Sequence, residues 1–173
     1  MSGGIKWTDR RFDFNFPAEL YPEMIERARG TPARLEDRVR SLPAEILTRR
    51  DGDRWSIQEN AGHLLDLESL VIQRIDEYVA GAAALHAADM SNRKTYEAKH
   101  NDAPVESILR AFRDRRTKVV ERLDGFAPEM FARTALHPRL NIPMRLVDMI
   151  LFQAEHDDYH LARISELARL FVK

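Results

Sequence analysis

Cysteine is absent from this 173-residue sequence. Its absence excludes disulfides, thiolate metal ligands and cysteine nucleophiles within the chain, and it is compatible with the reducing cytoplasm, which is the location we predict. Glycine and proline are also scarce, with 7 and 8 residues, so collagen-like and low-complexity classes are excluded.

Excess charge and long apolar runs are missing as well. The 27 basic and 28 acidic residues leave a formal net charge of −1. From this near-neutrality we predict no nucleic-acid partner, because such proteins usually carry a basic face. No apolar run approaches the roughly 20 residues that span a bilayer, so we predict no membrane partner. Residues 1–16 have no apolar stretch typical of a signal peptide.

Strand signals are nearly absent, whereas a helical period recurs from about residue 18 onward. The first helical region covers about 18–41, and Gly30-Thr31-Pro32 predicts a kink or a break in it. The second helix has a sharply defined start, since Ser56 and Glu59 form a capping box. It continues to about Ala80 and stops at Gly81.

Two further helices follow a polar connection at about 82–102. The third opens at Asp102 and Pro104 and ends at Gly125, and the fourth opens at Asn141 and Pro143 and continues to about Phe171. Four amphipathic stretches of this length predict an all-α four-helix bundle, which we assign to one domain covering 1–173.

Two histidines stand out by their spacing. His156 and His160 are four residues apart, so a helix places both imidazoles on one face, about 5–6 Å apart at Cβ. Their stripe continues through Phe152 and Ile164, so the pair faces the core side, where two polar rings need partners. A shared divalent ion would satisfy both rings, although two surface histidines can also be four apart by chance.

The second helix supplies a candidate for a third ligand, His63, which lies on the apolar stripe, although a lone histidine on such a face is more often a hydrogen-bonded core residue. His63 is roughly 10 Å from the start of its helix, and His160 is roughly 16 Å from the end of the fourth helix. The two heights agree only if the second and fourth helices are antiparallel. This predicts an up-down-down-up order with a long crossover, and about 20 residues at 82–102 are long enough to make it.

At this point the chain resembles the DinB/YfiT-like superfamily of metalloenzymes over about 18–170. The resemblance rests on Trp55 to Glu59 followed by Gly62-His63-Leu64, on His137-Pro138, and on the segment from Ala154 through Glu155-His156-Asp157-Asp158-Tyr159-His160 to Ile164. It implies an up-down-down-up bundle in which His63, His156 and His160 hold a divalent metal ion, most often nickel or zinc. It also implies transfer of low-molecular-weight thiols as one activity, with hydrolase as a second. The family usually has Gln at the position of Arg163.

Three imidazoles leave coordination positions open, as in catalytic rather than structural metal sites. We therefore predict an enzyme that transfers a low-molecular-weight thiol to an electrophilic small molecule, with hydrolysis by a metal-bound water as the alternative. A third alternative is a non-catalytic metal-binding module that pairs as a homodimer. The candidate catalytic residues are Glu59, as a general base, and Arg163, which would hold a carboxylate of the substrate. Capping of the second helix is a sufficient structural role for Glu59, and an ion pair would be one for Arg163.

Three further residues carry expectations about their surroundings. Asp157 should face solvent or anchor a neighbouring ring. His86 and His100 fall in the polar connection without helical partners and should be solvated.

Overall fold

The structure is a computed structural model that describes residues 5–172, so residues 1–4 and 173 of the predicted domain lie outside the described part. Within residues 5–172 there are six α-helices and one hairpin of two strands. In chain order these are α1 (Tyr21–Arg40), α2 (Ala44–Leu47), α3 (Ile57–Ala80), α4 (Arg93–Ala98), α5 (Val105–Asp124), β1 (Thr134–His137), β2 (Ile142–Arg145) and α6 (Leu146–Phe171).

The long helices α1, α3, α5 and α6 form a four-helix bundle in which α1 and α3 each pack against both α5 and α6. α3 and α6 are antiparallel. Asn60, in the first turn of α3, bonds to His160 in the C-terminal half of α6 at 2.8 Å. Tyr78, in the last turn of α3, donates to the carbonyl oxygen of Met144, just before α6, at 2.9 Å.

Ion pairs between the helices, one buried and three exposed, give the direction of α5. It runs parallel to α3 and antiparallel to α1, as shown by Glu68–Arg116, Asp76–Arg122, Arg29–Asp124 and Arg40–Glu106. Together with the antiparallel α3 and α6, these pairs establish the up-down-down-up order. The fold and the crossover predicted from histidine heights are confirmed.

The ends of α3 follow its sequence signals. The Ser56 hydroxyl accepts from the amide of Glu59, and the Glu59 carboxylate accepts from the amide of Ser56 at 2.8 Å, which completes the capping box. At the other end Gly81 adopts φ 68° in the left-handed region, where glycine carries no Cβ penalty. The side chains that follow the cap therefore enter the bundle at fixed heights.

At Gly30-Thr31-Pro32 the helix does not break, because α1 continues through Pro32, which it buries, so of the two predicted alternatives only the kinked helix agrees with the structure. Two other local predictions are wrong. The sequence predicted almost no strands, yet a hairpin of β1 and β2 lies between α5 and α6. Its strands pair antiparallel from Thr134–Arg145 to His137–Ile142. These strand pairings use residues 142–145, so the fourth helix starts at Leu146 instead of Asn141 or Pro143.

A buried charged cluster joins all four long helices. Arg116 of α5, only 1% exposed, pairs with Glu68 of α3 and Asp157 of α6, each at 2.6 Å. It also donates to the carbonyl oxygen of Ala28 in α1, and Thr31 of α1 donates to Asp157 at 3.0 Å. The expectation that Asp157 faces solvent or anchors a ring is therefore wrong. None of the helices in residues 5–172 is both long and apolar enough to cross a bilayer.

Candidate metal centre

The three histidines singled out in the sequence meet inside the bundle. His63 comes from the second turn of α3, and His156 and His160 lie on successive turns of α6. All three are at most 8% exposed, and one ring nitrogen of each lies within 4.8 Å of those of the other two. The Nε2 atoms of His156 and His160 are 3.2 Å apart.

Asn60 determines which nitrogen of His160 faces the centre. Its amide group donates to the carbonyl oxygens of Trp55 and Ser56, so its Oδ1 is left to accept from His160 Nδ1 at 2.8 Å. His160 therefore carries its proton on Nδ1 and presents an unprotonated Nε2 to the centre. This is the hydrogen-bonding pattern that orients imidazole ligands in metal sites.

His63 is oriented in the same way from the crossover. Its Nδ1 lies 3.0 Å from the hydroxyl of Thr95, a buried residue of α4, which leaves Nε2 for the centre. Trp55 lies against the His63 ring, with 4.7 Å between centroids. The crossover thus closes one side of the site as well as returning the chain to the end of the bundle at which α3 begins.

The three imidazoles are neutral, as metal binding requires. Burial lowers the pKa of His63 to about 3, and its proximity to His156 adds to the effect. Burial also lowers the pKa of His156 to about 3, and it lowers the pKa of His160 well below its ordinary value. Each ring therefore has a lone pair available at physiological pH.

These donors fit one divalent ion. Two nitrogens bound to the same metal at about 2.0–2.1 Å are about 2.9–3.4 Å apart, and the Nε2 atoms of His156 and His160 are 3.2 Å apart. His156 Nδ1 is buried without a hydrogen-bond partner among the described residues. Since no carboxylate belongs to the cluster, the donor set suits nickel, zinc, copper or iron better than magnesium or calcium.

His100 is buried, which contradicts the expectation that it is solvated. It is 6% exposed, and its Nε2 lies 2.8 Å from a carboxylate oxygen of Asp66 in α3. The ring lies directly over Gly62, so closely that a Cβ atom at that position would overlap it. His86, by contrast, is exposed as predicted. The glycine before His63 therefore makes room for the segment that carries Thr95.

We expect Gly62→Ala to destabilise the protein by about 1–3 kcal/mol. The added methyl group must displace the His100 ring from Asp66, and this overpacking outweighs the gain in helix propensity. Gly30→Ala in α1 is the matched control, because no atom lies within 4 Å of its added Cβ. Urea unfolding should give opposite signs for the two variants, and a stabilised Gly62→Ala would contradict the steric argument.

A cavity of about 920 Å³ opens onto the centre, with all three histidines in its wall. Four aromatic residues share this wall: Trp7, Trp55, Phe152 and Tyr159. The ring of Trp7 lies edge-on to His156, with 4.9 Å between centroids. A volume in the range of small-molecule sites therefore adjoins the imidazole nitrogens.

The structure separates the two candidate catalytic residues. Arg163 lines the cavity and forms an ion pair with Glu166, which also lines it. Glu59 is not among the described residues that line the cavity. It pairs with Arg50 while capping α3, and these contacts explain its burial.

Asn60 and Thr95, which orient the ligands, were not given roles from the sequence. Asn60 had a usable signal, since it is a polar residue on the buried stripe of His63, one turn earlier. Thr95 had none, because the crossover shows no clear periodicity. The sequence identified the metal-facing rings better than the groups that position them.

The fold and the site define a four-helix-bundle protein with a buried three-imidazole cluster that could hold a metal ion beside a cavity. The family comparison is specific: the model of the DinB superfamily matches residues 27–164, and the chain belongs to this superfamily. Among curated proteins, none matches the sequence significantly.

Two solved structures share the fold. YfiT from Bacillus subtilis, described as a probable metal-dependent hydrolase with an unusual four-helix bundle topology, is 21% identical with a TM-score of 0.79, over 93% of each chain. The colibactin self-resistance protein ClbS is 15% identical with a TM-score of 0.68, over 86% of this chain and 95% of its own.

ClbS was solved in complex with double-stranded DNA, and this corrects the prediction that nucleic acids are excluded as partners. We predicted no nucleic-acid partner from the net charge of −1. That prediction is wrong as an exclusion, because a protein with this fold binds a duplex. Net charge averages over the whole surface and says nothing about a local basic face.

Proposed function

We propose that this chain is a metal-dependent enzyme in which His63, His156 and His160 hold one divalent ion, nickel or zinc. The observation that carries the proposal is the convergence of three neutral imidazoles on one point beside a cavity of about 920 Å³. Three protein ligands with open positions are typical of catalytic metal sites. Membership of the DinB superfamily supports the same conclusion.

The proposed reaction is transfer of a low-molecular-weight thiol to an electrophilic small molecule. A divalent ion held by the three imidazoles supplies Lewis-acid activation, which lowers the pKa of a thiol or a water molecule. Because the chain has no cysteine, the thiol must come from a cosubstrate. The cavity volume lies near the upper end of the roughly 300–1,000 Å³ range of ligand sites, which suits two reactants.

The residues around the centre have separable tasks in this proposal. Asn60 and Thr95 orient two ligand rings, and Trp55 covers them. Arg163 would hold an acidic group of a substrate; its position in the cavity wall supports this role, and in the structure it pairs with Glu166. A catalytic role for Glu59 stays a prediction.

Hydrolysis is the second candidate, and the description of YfiT as a probable metal-dependent hydrolase favours it. The same three imidazoles would serve either reaction, since only the nucleophile differs. The two reactions therefore have to be distinguished by adding substrates.

The test begins with metal content. Protein purified without a polyhistidine tag and supplied with nickel or zinc should retain about one ion per chain. The loaded protein is then given a cysteinyl thiol with an electrophilic acceptor, and separately an activated ester without thiol. Metal-dependent consumption of the thiol supports transfer, and ester cleavage without thiol supports hydrolysis. Retention far below one ion would overturn the enzymatic proposal.

Substitutions test the ligand assignment. We expect His63→Ala, His156→Ala and His160→Ala each to weaken metal binding at least about 100-fold. Four-ligand zinc sites bind with about 10–16 kcal/mol, so one ligand contributes about 3 kcal/mol. His86→Ala is the control, because this exposed histidine lies outside the cluster. Equal affinity in the three variants, measured by competition with a chelating dye, would reject the assignment.

A further inference from the structure

The cavity beside the metal centre is rich in positive charge. Among the described residues, its wall contains two carboxylates, Asp89 and Glu166, against six cationic side chains: Lys6, Arg10, Arg54, Arg74, Arg139 and Arg163. Such a wall raises the local concentration of anions.

Three of the arginines have a carboxylate partner in the structure. Arg10 approaches Glu155 at 3.9 Å, Arg54 pairs with Asp51 at 3.3 Å, and Arg163 pairs with Glu166. Arg54 and Arg163 are each paired with a carboxylate, whereas Arg10 shares Glu155 with Arg27. The cationic character that remains has to be sought on the other arginines of the wall.

Arg74 and Arg139 form no ion pair with any carboxylate of residues 5–172. Arg74 is 5% exposed and gives its hydrogen bonds to the carbonyl oxygen of His86. Arg139 lies over the rings of Trp7 and Phe152, at 5.8 and 5.4 Å from their centroids, and its Nη2 is buried without a hydrogen-bond acceptor. Burial lowers the pKa of both guanidiniums. At Arg74 the neighbouring Tyr78 and Glu77 oppose this lowering of the pKa, whereas the positive charge of Arg139 adds to it.

His137 adds a second unsatisfied donor to the same wall, after Arg139 Nη2. It is 1% exposed and lies 5.2 Å from Phe152 between ring centroids. Its Nδ1 accepts from the amide of Leu140, so in the neutral ring the proton is on Nε2. This Nε2 is buried without a partner among the described residues. A buried donor without an acceptor is costly, and near a functional cavity it indicates a missing ligand.

This donor group adjoins the metal centre. The Trp7 ring contacts both the His156 ring and Arg139, at 4.9 Å between ring centroids and 5.8 Å from centroid to guanidinium carbon. A ligand held by Arg139 would therefore lie beside the aromatic ring that contacts the imidazole cluster. The wall between them is aromatic, which favours an apolar body.

We propose that Arg139, together with His137 and Arg74, forms a binding site for the carboxylate or phosphate group of a small-molecule substrate whose apolar part packs on Trp7. The assignment of this molecule as the substrate rests on the proposed function, but its binding does not. A guanidinium offers paired donors for an oxyanion and is the side chain best suited to bind one.

The experiment measures binding in the full-length protein, both metal-loaded and after chelation, by calorimetry. The probes are benzoate and benzyl phosphate, with benzyl alcohol and benzylamine as neutral and cationic counterparts. We expect both anions to bind in either metal state and the two counterparts to bind at least tenfold more weakly. Anion binding after chelation does not depend on the metal. The anion site can therefore be disproved while the proposed enzymatic function stands, and the enzymatic function can be disproved while the anion site stands.

Variants assign the binding to these residues. Arg139→Gln should weaken anion binding at least tenfold, because a charge-assisted hydrogen bond is lost. Arg38→Gln removes one exposed positive charge outside the cavity and should leave the affinity unchanged. Arg139→Lys keeps the charge without the paired donors and should be intermediate.

Two results would overturn the proposal. One is equal binding of benzoate and benzyl alcohol, which would show an apolar site without an anion preference. The other is anion binding that is equal in Arg139→Gln and the native protein. A DNA duplex that competes with benzoate in the native protein would show that the same donors bind backbone phosphates, which would overturn the assignment to a small molecule.

Discussion

Replacing Arg116 by Met should destabilise the protein by about 3–5 kcal/mol, the largest loss we expect from any single substitution. The guanidinium is 1% exposed and bonds to Glu68, Asp157 and the carbonyl oxygen of Ala28. Methionine fills much of the same volume, so the expected loss comes from two carboxylates left buried without a cation. Urea unfolding measures it from the shift of the midpoint at constant slope.

The environment of Glu68 explains why Arg116 carries so much of the stability. Glu68 is 0% exposed, and burial raises its pKa while Arg116 opposes the rise. Without Arg116, Glu68 must take up a proton or remain as a buried charge, and both are costly. Asp157 would keep Thr31 as a partner but would lose its 2.6 Å ion pair.

Two controls separate charge from volume. Arg113→Met, on the same helix, breaks an exposed pair with Glu36 and should cost at most about 1 kcal/mol. Adding Glu68→Gln and Asp157→Asn to Arg116→Met removes the unpaired charges and should recover part of the loss. If Arg116→Met costs no more than Arg113→Met, the cluster does not hold the four helices together.

The features that were predicted correctly from the sequence are those with a local signal. The capping box at Ser56 and the stop at Gly81 are local signals, so the ends of α3 were predicted correctly. The spacing of His156 and His160 is also local, and together with the height of His63 it was enough to predict the antiparallel α3 and α6. Fold and imidazole cluster could thus be read from a few residues.

The wrong predictions concern residues whose burial depends on a partner that is distant in the sequence. The segment at Gly30-Thr31-Pro32 left open a kink or a break, and the structure decides against the break, since α1 is continuous through Pro32. Asp157 lies between His156 and a second aspartate on α6, and nothing in that segment indicates that Arg116, 41 residues away, will bury it. His100 lies in a polar stretch, and its burial depends on the space left by Gly62. Pairings of this kind have no periodic signature, so a single sequence does not show them.

Acid should destabilise the metal-free protein through the same histidines that would bind the metal. In the unfolded chain a histidine takes up a proton near pH 6.5, whereas burial lowers the pKa of His63 and His156 to about 3 in the folded protein. Below pH 6.5 the unfolded state therefore binds more protons, so the free energy of unfolding falls as pH falls, until about pH 3. At pH 5 each of the two costs about 2 kcal/mol, and His160 shifts in the same direction.

Urea unfolding of chelator-treated protein between pH 7 and 5 measures this loss. His156→Gln replaces a titrating ring with a neutral side chain, so its stability should fall by about 2 kcal/mol less over the same interval. His86→Gln removes an exposed histidine and should follow the native protein. Parallel pH profiles for the native protein and His156→Gln would mean that His156 does not fold as a neutral ring. The cluster would then carry a proton where the proposal requires a lone pair for the metal.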